Sequence, residues 1–538
     1  MHEPVPSNIA ERLDLLTELS VALGTGHAAD VLLDRILRVA KDMTHADGGT
    51  LYRPSADGRS MCFHISLNDT LGLRQGGVGG SPIALAPLPL FDAGGQPDLS
   101  SVVAYAANRR ESVNIEDVYR ADGFNFSGMR AFDSQFGYRS QSFLTVPMLD
   151  HEGELVGVLQ LINARAPDGA VQPFSHTDQR FIEALAAQAA VALTKQQLIG
   201  QLEGLLEAIV NLINIGIDEK SPYTGRHCQF VPELTMLLAE AAHATDSGPL
   251  ADFRMDDGDR KELRLAGLLH DCGKITTPVH VVDKATKLET IFDRVHLVDT
   301  RFEVLLRDAE IAALRDRCVA GADRAAIDDR LASEQARLRA DRDFLRRANV
   351  GGEGMSPDDQ ERVRRIAARR WTGPDGIERD FLDADEVLNL TVRFGTLTDE
   401  ERRIINNHIV VTIRMLESLP WPKHLRKVPE YAGGHHERMD GKGYPRGLTR
   451  DQMSVPARVM AIADIFEALT ACDRPYKKGK TLSESLDILG RFALNGHIDP
   501  DLFDIFVRRK VYLGFARANL APWQLDAVDE SAIPGYVP

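Results

Sequence analysis

Leu263-Arg264-Leu265-Ala266-Gly267-Leu268-Leu269-His270-Asp271 decides how the second half of this chain folds. Leu265, Leu268 and Leu269 fall on one apolar helical face, and the helix runs straight into a histidine and an aspartate. A face of that kind turns to an interior and carries His270 and Asp271 with it. A carboxylate delivered there is costly unless it is paired or holds a metal. The stretch therefore calls for polar partners elsewhere in the chain, and for a mostly helical fold that can bring them in.

The chain supplies such partners. His435-His436-Glu437-Arg438-Met439-Asp440-Gly441-Lys442-Gly443-Tyr444-Pro445 sets two imidazoles beside two carboxylates, a donor mix suited to iron, manganese or zinc. Its glycines and proline turn the backbone sharply just after the candidate ligands. Alone, a His-His pair is more often a surface or core feature than a site. His227 follows Ser221-Pro222-Tyr223-Thr224-Gly225-Arg226. Thr398 with Glu401 three residues later reads as a capping box that starts a helix carrying His408. Asp464 lies in the otherwise apolar helix through Ala457-Arg458-Val459-Met460 and needs a partner of its own. Arg474-Pro475-Tyr476-Lys477-Lys478 adds a local basic cluster. His227, His270, Asp271, His408, His435, His436 and Asp464 make seven N/O donors, too many for one tetrahedral zinc and suited to two metals. Two metals a few ångströms apart activate water and clamp a phosphate for in-line displacement. His497 stands apart and reads as structural.

The bulk numbers set the frame. The 538 residues imply two to four domains at about 150 residues each. Lys and Arg total 63 against 79 Asp and Glu, a net charge of −16 that argues against nucleic-acid polymers as partners. A small anion in a local basic pocket is not excluded. Five scattered cysteines without a CxxC fit reduced thiols rather than a disulfide framework. No unbroken apolar run approaches the ~18 residues of a membrane helix, and Met1-His2-Glu3-Pro4 opens no signal-like layout. The expectation is a cytoplasmic protein that does not itself engage a membrane.

The first half reads as α+β. Ile9, Leu13, Leu16, Leu19 and Leu23 predict a short helix over 8–23, and Leu32, Leu33, Ile36, Leu37, Ala40 and Met43 a second over about 29–43. Ala46-Asp47-Gly48-Gly49 reads as a turn and Thr50-Leu51-Tyr52 as the start of a strand. Strand-like pieces follow near 61–66, 102–105, 142–147 and 155–163, then a long helix from Thr177. Leu198, Leu202, Leu205, Ile209 and Leu212 repeat at spacings of 4, 3, 4 and 3, the seam of a coiled coil. That seam predicts a parallel dimer helix joining the two halves, with a single helix packed on its own domain as the alternative. Between 290 and 394, Leu331, Leu338 and Leu345 repeat at seven amid many Arg, Asp and Ala, which predicts a solvated helical hairpin without chemistry, broken at Gly351-Gly352-Glu353-Gly354.

Two resemblances extend this reading. Asn114-Ile115-Glu116-Asp117-Val118-Tyr119, Gly137-Tyr138-Arg139-Ser140-Gln141-Ser142-Phe143-Leu144-Thr145-Val146-Pro147 and Gly157-Val158-Leu159-Gln160-Leu161-Ile162-Asn163 resemble a GAF domain, a small-molecule sensor module. Of the Asn-Lys…Phe-x-x-x-Asp-Glu pattern of cyclic-nucleotide-binding GAF domains, Asn163, Phe174 and Asp178 are present, while Ala164 and Gln179 replace the Lys and the Glu. A GAF fold acting only as a dimer or relay module is the alternative. Residues of about 205–289 and 395–520 resemble the HD-GYP family of metal phosphohydrolases, through His270-Asp271-x-x-Lys274, the His435–Pro445 stretch, and Asp464 with Arg474-Pro475-Tyr476.

The HD-GYP resemblance implies hydrolysis of cyclic di-GMP to pGpG or GMP. It implies His227, His270, Asp271, His408, His435, His436 and Asp464 as metal ligands, with Asp271 bridging. Lys274 would position the scissile phosphate, Arg474 and Lys477 would hold the ligand's phosphates, and Tyr444 with Gly443 would shape the binding loop. Members with three metals carry a Glu where this chain has Tyr223, with Glu219 a further turn back. Two divalent metals, iron or manganese, are therefore favoured over three. The organisation implied is an N-terminal helix (1–28), a GAF-like domain (29–197), a linker and dimer helix (198–215), an HD-GYP domain (216–520) interrupted at 290–394, and a tail (521–538). Alternatives are a hydrolase of another cyclic dinucleotide, or a non-catalytic nucleotide receptor or scaffold.

Overall fold

The computed structural model describes residues 29–220, 225–352, 354–472 and 479–538. The expected helix over 8–23, Tyr223, Arg474 and Lys477 lie outside the described residues. The chain divides into two compact units, one up to Leu206 and one from Glu207.

The first unit is built on an antiparallel sheet. Its strands are β1 (Ala46–Pro54), β2 (Ser60–Asn68), β3 (Leu73–Gly76), β4 (Leu88–Pro89), β5 (Val113–Ile115), β6 (Phe143–Leu149), β7 (Leu155–Arg165) and β8 (Val171–Gln172). The order is β3-β2-β1-β7-β6-β5, with β4 on β2 and β8 on β7. In the centre Leu51 pairs with Leu159 and Gly49 with Leu161. Helix Ala29–Thr44 and the start of helix His176–Lys220 cover one face, where Leu33, Ile36, Leu37 and Met43 share a core with Ile182, Leu185 and Ala189.

Two local expectations are corrected here. The segment Ala46–Gly49 is strand rather than turn. Its glycines serve close packing: a Cβ on Gly49 would sit 2.7 Å from Leu37 Cδ1, because the helix lies directly on the strand. Residues 102–105 form a helix, Val102–Arg109, despite two β-branched residues at its start. Ser101 caps it by accepting the Ala104 N–H at 3.1 Å, and the alanine-rich remainder propagates it.

The residues of the cyclic-nucleotide pattern all have structural work in this unit. Asn163 adopts φ 58° and its Oδ1 accepts the Gln141 N–H at 2.7 Å. Phe174 lies in the core beneath the helices. Asp178 accepts the Ser175 N–H at 3.0 Å, at the start of the long helix.

The second unit is helical. Helix Gly225–His243 crosses helix Asp257–Leu269 closely: a Cβ on Gly267 would stand 3.1 Å from the Pro232 Cα. Asp256 and Asp259 form a capping box at the start of the latter helix. The expected box of Thr398 and Glu401 starts helix Asp399–Glu417, and helix Val455–Thr470 is buried along most of its length. The predicted hairpin is present as helices Val295–Arg317 and Arg324–Val350, ending at Gly351. It is more than a solvated excursion. With helix Pro357–Ala367 and helix Ala384–Leu390 it closes its own core around Phe302, Leu338, Leu345, Val363, Phe381 and Leu390. Lys284 ties this lobe to the rest of the unit, donating to Asn389 Oδ1 and Glu401 Oε1 at 2.7 Å each.

Helix His176–Lys220 is 45 residues long. On its seam Leu202, Leu205 and Leu212 are 65%, 57% and 66% exposed, while Val210, Asn214 and Ile217 are buried on the other side. Among the described residues it is the one helix long and apolar enough to cross a membrane by length and composition. Lys195, Glu203 and Glu207 interrupt it, so it holds no unbroken apolar run of that length. Among the described residues none of the five cysteines forms a disulfide.

Candidate metal centre

All seven predicted donors meet in the second unit. His227, His270 and Asp271 form one compact group and His408, His435 and His436 another, each with donor atoms within 4.8 Å of one another. Asp271 joins them: its Oδ2 lies 3.0 Å from His227 Nε2 and its Oδ1 3.2 Å from His408 Nε2. Asp464 Oδ1 stands beside the first group, 3.3 Å from His227 Nε2.

Backbone geometry sets the imidazole tautomers. His270, His408 and His435 each hold Nδ1 against a carbonyl three residues earlier: Gly267 O at 2.7 Å, Ile405 O at 2.5 Å and Ala432 O at 2.7 Å. Nδ1 is then the donor and Nε2 the acceptor. Glu467 does the same for His227, with Oε2 2.5 Å from Nδ1.

The Nε2 atoms are thereby turned towards one another. His270 and His227 stand Nε2 to Nε2 at 3.2 Å, and so do His436 and His408. Among the described residues, His435 Nε2 and Asp271 Oδ1 are buried without a hydrogen-bond partner. Imidazole nitrogens and carboxylates crowded into one buried site favour a cation there, a proton on His227 or a metal ion in its place. The donor set therefore fits divalent metals, with outer carboxylate and carbonyl partners of the kind that orient metal-binding histidines.

The electrostatics agree. Burial opposes charge on His227, but Asp271, Asp464 and Glu467 outweigh it and hold its pKa well above the usual value. Burial pushes His435 well down and His436 down to about 4, so both keep free lone pairs at neutral pH. Burial also opposes charge on Asp271, yet Lys274 and the histidines hold it well below the ordinary carboxylate range. Lys274 Nζ lies 2.5 Å from Asp271 Oδ2.

The loop after the histidines is fixed from within. Glu437 points away from the donors and accepts the Arg446 and Leu448 N–H groups at 2.7 and 2.9 Å. Asp440 pairs with Arg438 at 2.8 Å. Both carboxylates of the stretch thus build the loop. A Cβ on Gly443 would lie 2.4 Å from Arg438 N, so only glycine allows this crossing. Tyr444 stacks on His436 with ring centroids 4.8 Å apart. His497, read as structural, stacks on Phe492 at 4.5 Å.

Sequence reasoning missed Glu467. The signal was present: it follows Asp464 by three residues on one helix, so both carboxylates share a face.

Residues 28–193 match the GAF domain family. Residues 224–328 and 384–502 match HD domain families, on either side of the middle of the inserted lobe. The chain carries a GAF domain followed by an HD domain. Parts of the chain are similar to relatives of known name. The chain is 47% identical over 81 residues to 3'3'-cGAMP-specific phosphodiesterase 1 of Vibrio cholerae, covering 15% of this chain and 19% of that protein. It is 40% identical over 124 residues to cyclic di-GMP phosphodiesterase PA4108 of Pseudomonas aeruginosa, covering 23% and 28%. The chain thus spans less than a third of the length of these relatives. Among solved structures, the GAF domain from an Acinetobacter phosphoenolpyruvate-protein phosphotransferase aligns with 36% of this chain and 99% of its own, at 19% identity and TM-score 0.27.

Proposed function

We propose that the HD domain is a two-metal phosphodiesterase of the HD-GYP type that hydrolyses cyclic di-GMP to pGpG or GMP, with the GAF domain as its sensor. The observation that carries this reading is Asp271, whose two oxygens face both three-residue donor groups at 3.0 and 3.2 Å. In it, His227, His270, Asp271 and Asp464 would hold one metal, and His408, His435, His436 and Asp271 would hold the other. Mixed imidazole and carboxylate donors favour iron or manganese. When bound, such a pair supplies Lewis-acid stabilisation of a phosphodiester undergoing in-line displacement.

The remaining work belongs to the chain's own side chains. The Lys274 ammonium, held beside Asp271, positions the scissile phosphate. Tyr444, braced on His436, walls the substrate pocket, and Gly443 lets its loop fold back tightly. Arg474 and Lys477 hold the substrate's phosphates. The protein acts in the cytoplasm as a homodimer joined through the exposed seam of helix His176–Lys220, and the GAF domain takes a small-molecule ligand.

Incubating the purified, metal-loaded protein with cyclic di-GMP tests this directly. The expected result is pGpG or GMP from the wild type and background levels from His270→Ala and Asp271→Ala. No product, or unchanged turnover in the variants, overturns it. A second reading, the same chemistry on another cyclic dinucleotide, is favoured by the relative named as 3'3'-cGAMP-specific. A panel of cyclic dinucleotides separates the two. A non-catalytic receptor is separated by metal content, since that reading needs none.

A further inference from the structure

The turn carrying Lys274 is held from two sides. It is a 3-10 helix, Cys272–Thr276, that begins directly after Asp271. On one side the Gly273 N–H donates to Thr412 Oγ1 at 2.9 Å. A Cβ on Gly273 would lie 2.0 Å from His408 O, so the turn has no slack against the helix that carries His408. On the other side stands Lys220, the last residue of helix His176–Lys220. Its Nζ donates to Lys274 O at 3.2 Å and to Ile275 O at 2.5 Å.

These carbonyls lie near the C-terminal end of a short helix, where a cation is favoured, and Lys274 O also accepts the Thr277 N–H at 3.0 Å. Val210, Asn214 and Ile217 are buried on the long helix just before it reaches Lys220. Among the described residues, Asn214 Oδ1 and Asp218 Oδ1 on that stretch are buried without a hydrogen-bond partner.

We infer that Lys220 is a positioning residue: by tying the helix that starts in the GAF domain to the carbonyls of Lys274 and Ile275, it sets where the Lys274 ammonium stands against Asp271. The inference rests on the phosphodiesterase reading, in which Lys274 faces the phosphate. It gives the sensor helix a definite point of action. A shift or rotation of its end acts on the turn at Lys274, while His270, His408 and His435 stay held by their own carbonyls and His227 by Glu467.

The test compares full-length wild type, Lys220→Met and Lys220→Arg by amide hydrogen exchange, metal content and steady-state kinetics on cyclic di-GMP. In Lys220→Met, exchange across 272–277 rises, including the Thr277 amide that bonds Lys274 O at 3.0 Å. Its kcat falls about tenfold at unchanged KM and unchanged metal content, the scale of one lost charged hydrogen bond. Lys220→Arg restores most of both. Unchanged exchange in Lys220→Met overturns the inference, and so does raised exchange with unchanged kcat. A loss of activity that tracks loss of metal also overturns it, since Lys220 would then support the donors rather than Lys274. If wild type fails to cleave cyclic di-GMP, the phosphodiesterase reading falls, and exchange alone still decides whether Lys220 holds the turn.

Discussion

Glu467 carries a role at the metal centre that no short motif announces. It is buried, and its carboxylate fixes which nitrogen of His227 faces Asp271 and Asp464. For His270, His408 and His435 a backbone carbonyl performs the same task. His227 alone of these four relies on a side chain, so a point substitution can release it. Glu467→Gln keeps the size but lets the amide donate to Nδ1, which turns the other tautomer towards the donors. Metal affinity is expected to fall about 10–100-fold, as for other outer partners of ligating histidines. Competition with a chromophoric chelator measures it, and an unchanged affinity means that His227 is oriented by something else.

At the scale of the element, the glycines of this site mark crossings rather than flexibility. Gly273 lies where the turn after Asp271 meets the backbone of helix Asp399–Glu417, with room for no side-chain atom. Neither His408 O nor Thr412 N can yield without moving the helix that carries His408. Gly273→Ala is expected to cost at least about 2 kcal/mol of stability, in the range of overpacked cores, and to separate Asp271 from His408. Chemical denaturation reads the first effect and metal stoichiometry the second. Gly443 does similar work in its loop, where Glu437 clamps two amides. The quoted motif showed that a turn stood there. That Glu437 serves the loop and not the metals depended on where the folded backbone brought Arg446 and Leu448.

At the scale of the whole molecule, one 45-residue helix begins in the GAF match and ends at the HD domain. Its exposed leucines repeat as a seam, and an apolar stripe of that length is costly in water. A second copy of the chain covers it in the proposed dimer. Replacing Leu205 and Leu212 together with lysine removes two buried side chains from each protomer's side of that contact. At about 1.5–3 kcal/mol each, the dimer dissociation constant should rise by more than about a hundredfold. Sedimentation velocity on wild type and double variant reads this. A monomeric wild type at micromolar concentration sinks the dimer.

Much of the molecule was legible in residues alone. Apolar periodicity marked helices Ala29–Thr44 and Asp257–Leu269, the capping box at Thr398 marked the start of another, and the donors that converge were all named by type. Local chemistry suffices for these, because a helix face, a cap or a lone buried acid states its own requirement. Local chemistry misled at Val102-Val103, where an N-cap outweighed β-propensity, and at Gly48-Gly49, where glycine answered to a helix lying on the strand. Only the tertiary structure decided that Asp271 stands between two donor groups, that Glu467 reaches His227 across 240 residues, and that Lys220 ends on the carbonyls of Lys274 and Ile275. Each depends on the distance between atoms far apart in the chain, and packing alone sets that distance.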